Sequence, residues 1–239
     1  MVPAKKKTQK NKNIFNKAKI DKKALENIVL EIKTQEKKTK IIAVTKTLTI
    51  DAVNSAIENN IYTIGENRVD EVEKKYKGYV NRKKIELHLI GHLQSNKTKK
   101  AVDFFDVIQT ADSEKIIKKI DACAENKNKK QKIFIQINIG KDKNKFGFSE
   151  ELYEKALKNT QHLKNIEIKG VMTILPQNLN QKERKALYGK IKKIQQKIQK
   201  EHYPSCLLTS MGMSSDYEDA VSEGSSYIRI GTKLYGKRN

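Results

Sequence analysis

The feature that most restricts this chain is an alternation. Eight short apolar runs rich in β-branched residues recur along it: IIAVT (41–45), IYTIG (61–65), ELHLIG (86–91), FFDVIQT (104–110), KIFIQIN (132–138), IEIKGVM (166–172), CLLTS (206–210) and YIRIG (227–231). Each reads as a buried strand. Between successive runs lies a polar segment that can hold one helix, such as TIDAVNSAIENN and DSEKIIKKIDACAEN, each with a Thr or Asp at its expected N-cap. Parallel strands need such helical crossovers. Eight units is the count of a (β/α)8 barrel; a doubly wound open sheet also fits, because periodicity does not say whether the sheet closes. Ahead of the first strand, KKALENIVLEIKTQEKK places Leu25, Ile28, Val29 and Ile32 at helical spacing, which predicts an extra N-terminal helix. Pro3, Pro176 and Pro204 all fall outside the expected strands and helix interiors.

At 239 residues the chain can bury a core without a disulfide or a structural metal. No linker divides residues 22–239, so one domain is expected there, behind a basic tail over residues 1–21 that is expected to be disordered. Cys123 and Cys206 lie far apart, with no CxxC and no histidine cluster, which argues against a disulfide framework or a zinc site and suits a reducing compartment. With no run of 18 apolar residues and no signal peptide, the expectation is a soluble, cytoplasmic protein. The formal net charge of +22 invites a nucleic-acid reading. The lysines, however, are spread over nearly every expected helix instead of forming one patch, and no aromatic platform accompanies them. A solvated surface with weak, salt-sensitive association is expected, and no specific nucleic-acid partner.

In a barrel the chemistry collects where the strands end. The first strand ends on Lys46, the second on GEN (65–67), the third on GHLQSNK (91–97), the seventh on SMGMSSD (210–216) and the eighth on Arg229, Gly231 and Thr232. The loops after strands seven and eight, where barrels hold phosphate, supply Ser210, Gly212, Ser214, Gly231 and Thr232 with little bulk to obstruct an anion. Ordinary turn and cap chemistry would use the same residues.

Lys46 has two readings. A lysine at a strand end is ordinarily solvated. A desolvated amine at a barrel rim could instead attack a carbonyl and hold it as a Schiff base. Opposite a phosphate cradle, such an amine suits a phosphorylated aldehyde, of which pyridoxal 5′-phosphate is the common one. Along YIRIG, Tyr227, Arg229 and Gly231 share one face, so Arg229 points either into the barrel or into a structural ion pair. Facing a pyridine nitrogen, a guanidinium would keep that nitrogen unprotonated and the ring a poor electron sink.

The segments AVTKT, GENRVDEV, HLIGHLQSNK, IQINIGKDKNKFG, GVMTI, SMGMSSDYEDAV and YIRIGTKLYG, in order from Ile41 to Gly236, resemble the pyridoxal phosphate homeostasis protein family, relatives of the alanine racemase barrel domain. The resemblance implies a single TIM barrel of the alanine racemase N-terminal type that carries pyridoxal 5′-phosphate. It also implies a role in vitamin B6 homeostasis and delivery, with indirect effects on amino-acid and keto-acid balance, and no robust catalysis. Carried over by motif, Lys46 would be the Schiff-base lysine. Ser210, Gly212, Gly231 and Thr232 would lie at the phosphate, Asn67 beside the ring and Arg229 at the pyridine nitrogen; Met211 and Met213 would line the site or pack in the core. A monomer is expected, with apoenzymes that use the cofactor as candidate recipients and no membrane partner.

Two positions depart from the family pattern: Thr45 stands where serine is usual, and Leu48 where a further lysine is often found. The second departure leaves open any transfer role for another amine. Lys145 matches a family lysine. The alternative is a racemase-like enzyme, which would need an acid/base on each face of the ring. Racemases draw one of these from a second, β-rich domain that is not expected here, which leaves His92 as a weak candidate.

Overall fold

The computed structural model describes residues 19–237. Eight strands form where the apolar runs were read: β1 (Lys40–Val44), β2 (Thr63–Glu66), β3 (Glu86–Leu89), β4 (Val107–Ala111), β5 (Gln131–Gln136), β6 (Ile166–Met172), β7 (Leu208–Met213) and β8 (Tyr227–Ile230). Every neighbouring pair is parallel and β8 returns to β1, with Ile42 opposite Arg229, so the sheet is a closed barrel and the open-sheet arrangement is excluded. The helices are α1 (Lys22–Thr34), α2 (Ile50–Glu58), α3 (Val69–Lys75), α4 (Thr98–Phe104), α5 (Glu114–Glu125), α6 (Tyr153–Lys158), α7 (Gln181–Glu201), α8 (Tyr217–Ser222) and α9 (Thr232–Tyr235). α1 is the extra N-terminal helix.

Local chemistry explains the boundaries. α7 opens with a capping box, in which the Asn180 side chain accepts from Glu183 N–H and the Glu183 carboxylate accepts from Asn180 N–H. At α5 the cap is Ser113, whose hydroxyl accepts from Ile116 N–H, not Asp112, which turns to the rim instead. Thr49 holds the cap position of α2 as expected, with its hydroxyl directed to Asp51. Ile61 and Tyr62 precede β2, because Ile61 N–H bonds back to Ala56 O at the end of α2. Phe104 belongs to α4, so β4 begins three residues later than its apolar run.

Of the residues read as a tail, 1–18 lie outside the described part. Ile20 is buried and donates its N–H to Ser55 Oγ, and Asp21 caps α1, so packing begins before Lys22. Among the described residues no helix is long and apolar enough to cross a membrane.

Two apolar layers support the site. The larger fills the shell between strands and helices. The smaller one, Ile42, Val107, Phe134, Met172 and Tyr227, lies inside the barrel, one residue from each of five strands. Each of these side chains contributes roughly 1.5–3 kcal/mol by leaving water. Continuing Ile42 by the strand period of two gives Val44 and then Lys46, so the alternation that plugs the barrel also carries the lysine to its mouth.

Candidate functional site

Lys46 is the first central residue of a tight turn closed by Leu48 N–H to Thr45 O at 3.1 Å. The second, Thr47, has φ +62°, a left-handed conformation that costs a β-branched residue about 1–2 kcal/mol. The lysine is half-buried. It lines a cavity of about 540 Å³ at the C-terminal mouth of the barrel, with apolar walls from Val44, Ile90, Ile174 and Met213. Polar lining comes from Asn67, Ser214, Ser215, Arg229, Gly231, Thr232 and Lys233, and no carboxylate is among the lining residues. Lys46, Asn67, Arg229, Gly231 and Thr232, five of the residues expected at a site, therefore meet in one cavity.

Arg229 faces inward and is 4% exposed. Its Nη1 donates to Ser210 O and Ser210 Oγ and its Nη2 to Thr173 O, each at 2.8 Å, so the guanidinium is pinned by neutral acceptors and not by an ion pair. Burial lowers its pKa from the ordinary arginine value, an effect opposed by Tyr188 and Asp216 nearby. Behind it, Ser210 Oγ donates to Gln109 Oε1 at 2.7 Å, Gln109 Nε2 meets His88 Nδ1 at 2.8 Å, and His88 Nε2 meets Glu86 Oε2 at 3.0 Å. A hydrogen-bonded chain thus crosses the barrel interior beneath the cavity.

The β7 loop corrects three expected positions. Ser210 is fully buried in that interior chain, below the mouth, and does not line the cavity. Met211 is fully buried in the shell between barrel and helices. Against β8, Ser210 pairs with Tyr227 and Met213 with Arg229, so β7 carries one extra residue. This bulge reverses the alternation after inward-facing Ser210 and turns Met213, in place of Gly212, into the cavity. Gly212 stands at the bulge with φ +85°, and a Cβ there would lie 2.5 Å from Ala220 Cβ and 2.9 Å from Tyr217 Cα. Its small size serves the approach of α8. Beyond it the loop is held by Asp216, which accepts from Met213 N–H at 2.6 Å and from Tyr188 OH at 2.8 Å.

The N–H groups of Gly231 and Lys233 converge on Ser214 Oγ, both at 3.4 Å. These are long bonds to a neutral acceptor, which an anion could replace with shorter ones. Ser215, Lys233, Ile90 and Ile174 were not singled out from sequence. Ile174 could have been found by extending β6 two residues beyond Met172; nothing in the pattern marks Lys233 among so many lysines.

His92 lies instead in an adjoining cavity of about 500 Å³ with Arg68, Gln94 and Lys97, which shares Asn67 with the first. Its Nδ1 meets Asp112 Oδ2 at 2.8 Å and its ring stacks on Phe146 at 3.5 Å. Lys145 donates to Leu175 O, tying two rim loops together, and Leu48 is buried. No group of three or more His, Cys, Asp or Glu side chains among the described residues could hold a metal ion.

Comparison with known proteins adds relatives to this geometry. Residues 20–239 match the model of the alanine racemase N-terminal domain family. A pyridoxal phosphate homeostasis protein of Synechocystis sp. is 37% identical over 207 residues, 87% of this chain and 95% of that protein. One from Aquifex aeolicus is 31% identical over 83% of this chain and 87% of its own length. Among solved structures, PipY of Synechococcus elongatus with PLP bound is 31% identical, with a TM-score of 0.80 over 89% of this chain and 100% of that one. Alanine racemase of Clostridium difficile shares the fold, at 15% identity and TM-score 0.74 over 92% of this chain and 61% of its own.

Proposed function

Since the chain belongs to the pyridoxal phosphate homeostasis protein family, we propose that it binds pyridoxal 5′-phosphate as a Schiff base on Lys46 and stores and delivers the cofactor within the cell. The observation that carries this reading is the chemistry of the 540 Å³ cavity: an amine at the end of β1, apolar walls, and cations, hydroxyls and N–H groups with no carboxylate among them. A phosphorylated aromatic aldehyde complements each of these features.

When bound, the cofactor supplies an aldehyde that a neutral amine can hold through a C=N linkage with loss of water. The chain's own residues do the rest. Lys46 Nζ provides the amine. Ile90, Ile174 and Met213 enclose a flat ring and exclude water, with Asn67 at its edge. Ser214, Ser215, Thr232 and the N–H groups of Gly231 and Lys233 hold a phosphate. Arg229 turns a permanent cation to the ring and would leave a pyridine nitrogen unprotonated.

A carrier is favoured over a racemase by what lines the cavity. No histidine, tyrosine or carboxylate is there to act as a second acid/base beside Lys46, and His92 opens onto the adjoining cavity. We place the protein in the cytoplasm as a monomer without a specific nucleic-acid partner, handing the cofactor to apoenzymes.

The test is an absorbance spectrum of the cofactor-loaded protein before and after borohydride, with peptide mapping and a Lys46→Ala control. A visible band lost on reduction, with a pyridoxyl group on Lys46 and none in the variant, is expected, together with no racemisation of alanine. Absence of band and adduct from loaded wild-type protein refutes the reading.

A further inference from the structure

The turn that presents Lys46 is fastened from behind by a buried ion pair that takes no part in the cavity lining. Glu66, the last residue of β2, and Lys75, the last of α3, meet at 2.7 Å with side chains only 1% and 3% exposed. Such a pair has no stability advantage over apolar packing of the same volume. Its contacts show what else it does.

Both members reach Thr45, the residue immediately before Lys46. Glu66 Oε1 accepts from Thr45 Oγ1 at 2.6 Å, and Lys75 Nζ donates to Thr45 O at 2.9 Å. Tyr76 OH completes the cluster by donating to the same Glu66 oxygen at 3.1 Å. Oε2 is buried with no hydrogen-bond partner. Three donors therefore crowd one oxygen and leave the other unsatisfied, an arrangement set by the needs of the turn and not by those of the carboxylate.

The geometry at Thr45 is fully determined as a result. Its N–H bonds to Gly65 O, its hydroxyl to Glu66, and its carbonyl to both Leu48 N–H and Lys75. Because the Thr45 carbonyl and the Lys46 N–H share one peptide plane, fixing the carbonyl orients the bond from which the Lys46 side chain departs. The left-handed Thr47 on the other side is a conformation that persists only when its surroundings over-determine it.

We propose that Glu66 and Lys75, acting through Thr45, form a positioning clamp that aims the Lys46 amine into the cavity. The inference rests on the reading that Lys46 bonds the cofactor. It assigns a function to the hydroxyl at position 45, which serine would equally supply.

The variants are Thr45→Val, which keeps shape and removes the hydroxyl; Thr45→Ser, which restores it; and the double variant Glu66→Gln/Lys75→Met, which removes both charges together. For each, the rate of the borohydride-trapped pyridoxyl adduct on Lys46 is measured at fixed pyridoxal 5′-phosphate, alongside denaturant stability of the cofactor-free protein. Thr45→Val and the double variant are expected to form the adduct about tenfold more slowly, as misplacement of a reacting group does, with Thr45→Ser within about twofold of wild type. Adduct formation at the wild-type rate in Thr45→Val and the double variant, even if stability falls, overturns the clamp and leaves a purely structural pair. A wild-type protein that gains no adduct on Lys46 overturns the cofactor reading instead.

Discussion

Replacing Gly212 with alanine should unsettle the fold and the cavity together, and the size of the effect follows from two separable terms. The first is conformational: at φ +85° an alanine costs about 1–2 kcal/mol. The second is steric. The new Cβ would lie 2.5 Å from Ala220 Cβ and 2.9 Å from Tyr217 Cα, neither of which can rotate away. To restore ordinary contact near 3.5 Å, α8 must retreat by about 1 Å, an overpacking that costs about 1–3 kcal/mol. The sum is about 2–5 kcal/mol. Gly224 supplies the control, because it has φ +79° and nothing within 4 Å of its added Cβ. Gly224→Ala should therefore lose only the conformational term, about 1–2 kcal/mol. Urea unfolding of the two cofactor-free variants, compared at equal m-values, isolates the steric part. Since Met213, Ser214 and Ser215 follow directly, adduct formation on Lys46 should also slow in Gly212→Ala and not in Gly224→Ala. Equal losses from the two variants would refute the close-approach argument.

Two further outcomes concern titrating groups. Burial pushes the Cys206 thiol up to about 12 and leaves it fully inaccessible, while Cys123 is half-exposed. A maleimide should therefore label one cysteine in the native protein and two after denaturation; labelling of native Cys123→Ser would contradict this. The hydrogen bond from His88 lowers the Glu86 pKa from 4.5 to about 2, and this depressed value means stability present above pH 4.5 and lost as pH falls through about 2. With that carboxylate about a third exposed, solvent screening leaves about 1–2 kcal/mol of the nominal amount. Wild type should lose stability more steeply than Glu86→Gln between those pH values, and parallel curves would rule the contribution out.

The barrel was legible because its signal is local and repeated. Each β-branched run is mostly buried, so it stands out from the lysine-rich helices around it, and eight repetitions leave few topologies. Boundaries were less legible, since an apolar residue at a helix end resembles one at a strand start: Phe104 closes α4 and Ile61 packs against the end of α2. For Arg229 the period of two left an inward group and a structural ion pair both open, and the regular strand β8 turns it inward. On β7, Met211 and Met213 were assigned together by motif; the bulge at Gly212 shifts the count by one, so Met213 follows Ser210 on the inward face while Met211 packs in the shell. A glycine inside an apolar run can signal a bulge, but the residue it must accommodate, Ala220, lies in the following helix. The Glu66–Lys75 pair was hidden for a different reason. GEN was noted as a strand end, yet one lysine among so many carries no mark, and only the packing of α3 against β2 brings this one to Thr45.

The interior chain shows how charge reaches the cavity wall. Arginine has only donors, so Ser210 Oγ accepts from Arg229, and its hydroxyl donates to Gln109 Oε1. The Gln109 amide then meets His88 Nδ1, and His88 Nε2 meets Glu86. The chain runs from the guanidinium across β8, β7, β4 and β3, although Gln109 and Ser210 are 101 residues apart. Only three of the five Arg229 N–H groups enter these bonds, all to neutral acceptors. A buried cation without a carboxylate partner is costly to the isolated protein, and the cost falls when a ligand brings electron density to the remaining N–H groups. The barrel thus fixes Arg229 through neutral acceptors on the wall of the same cavity into which β1 delivers Lys46.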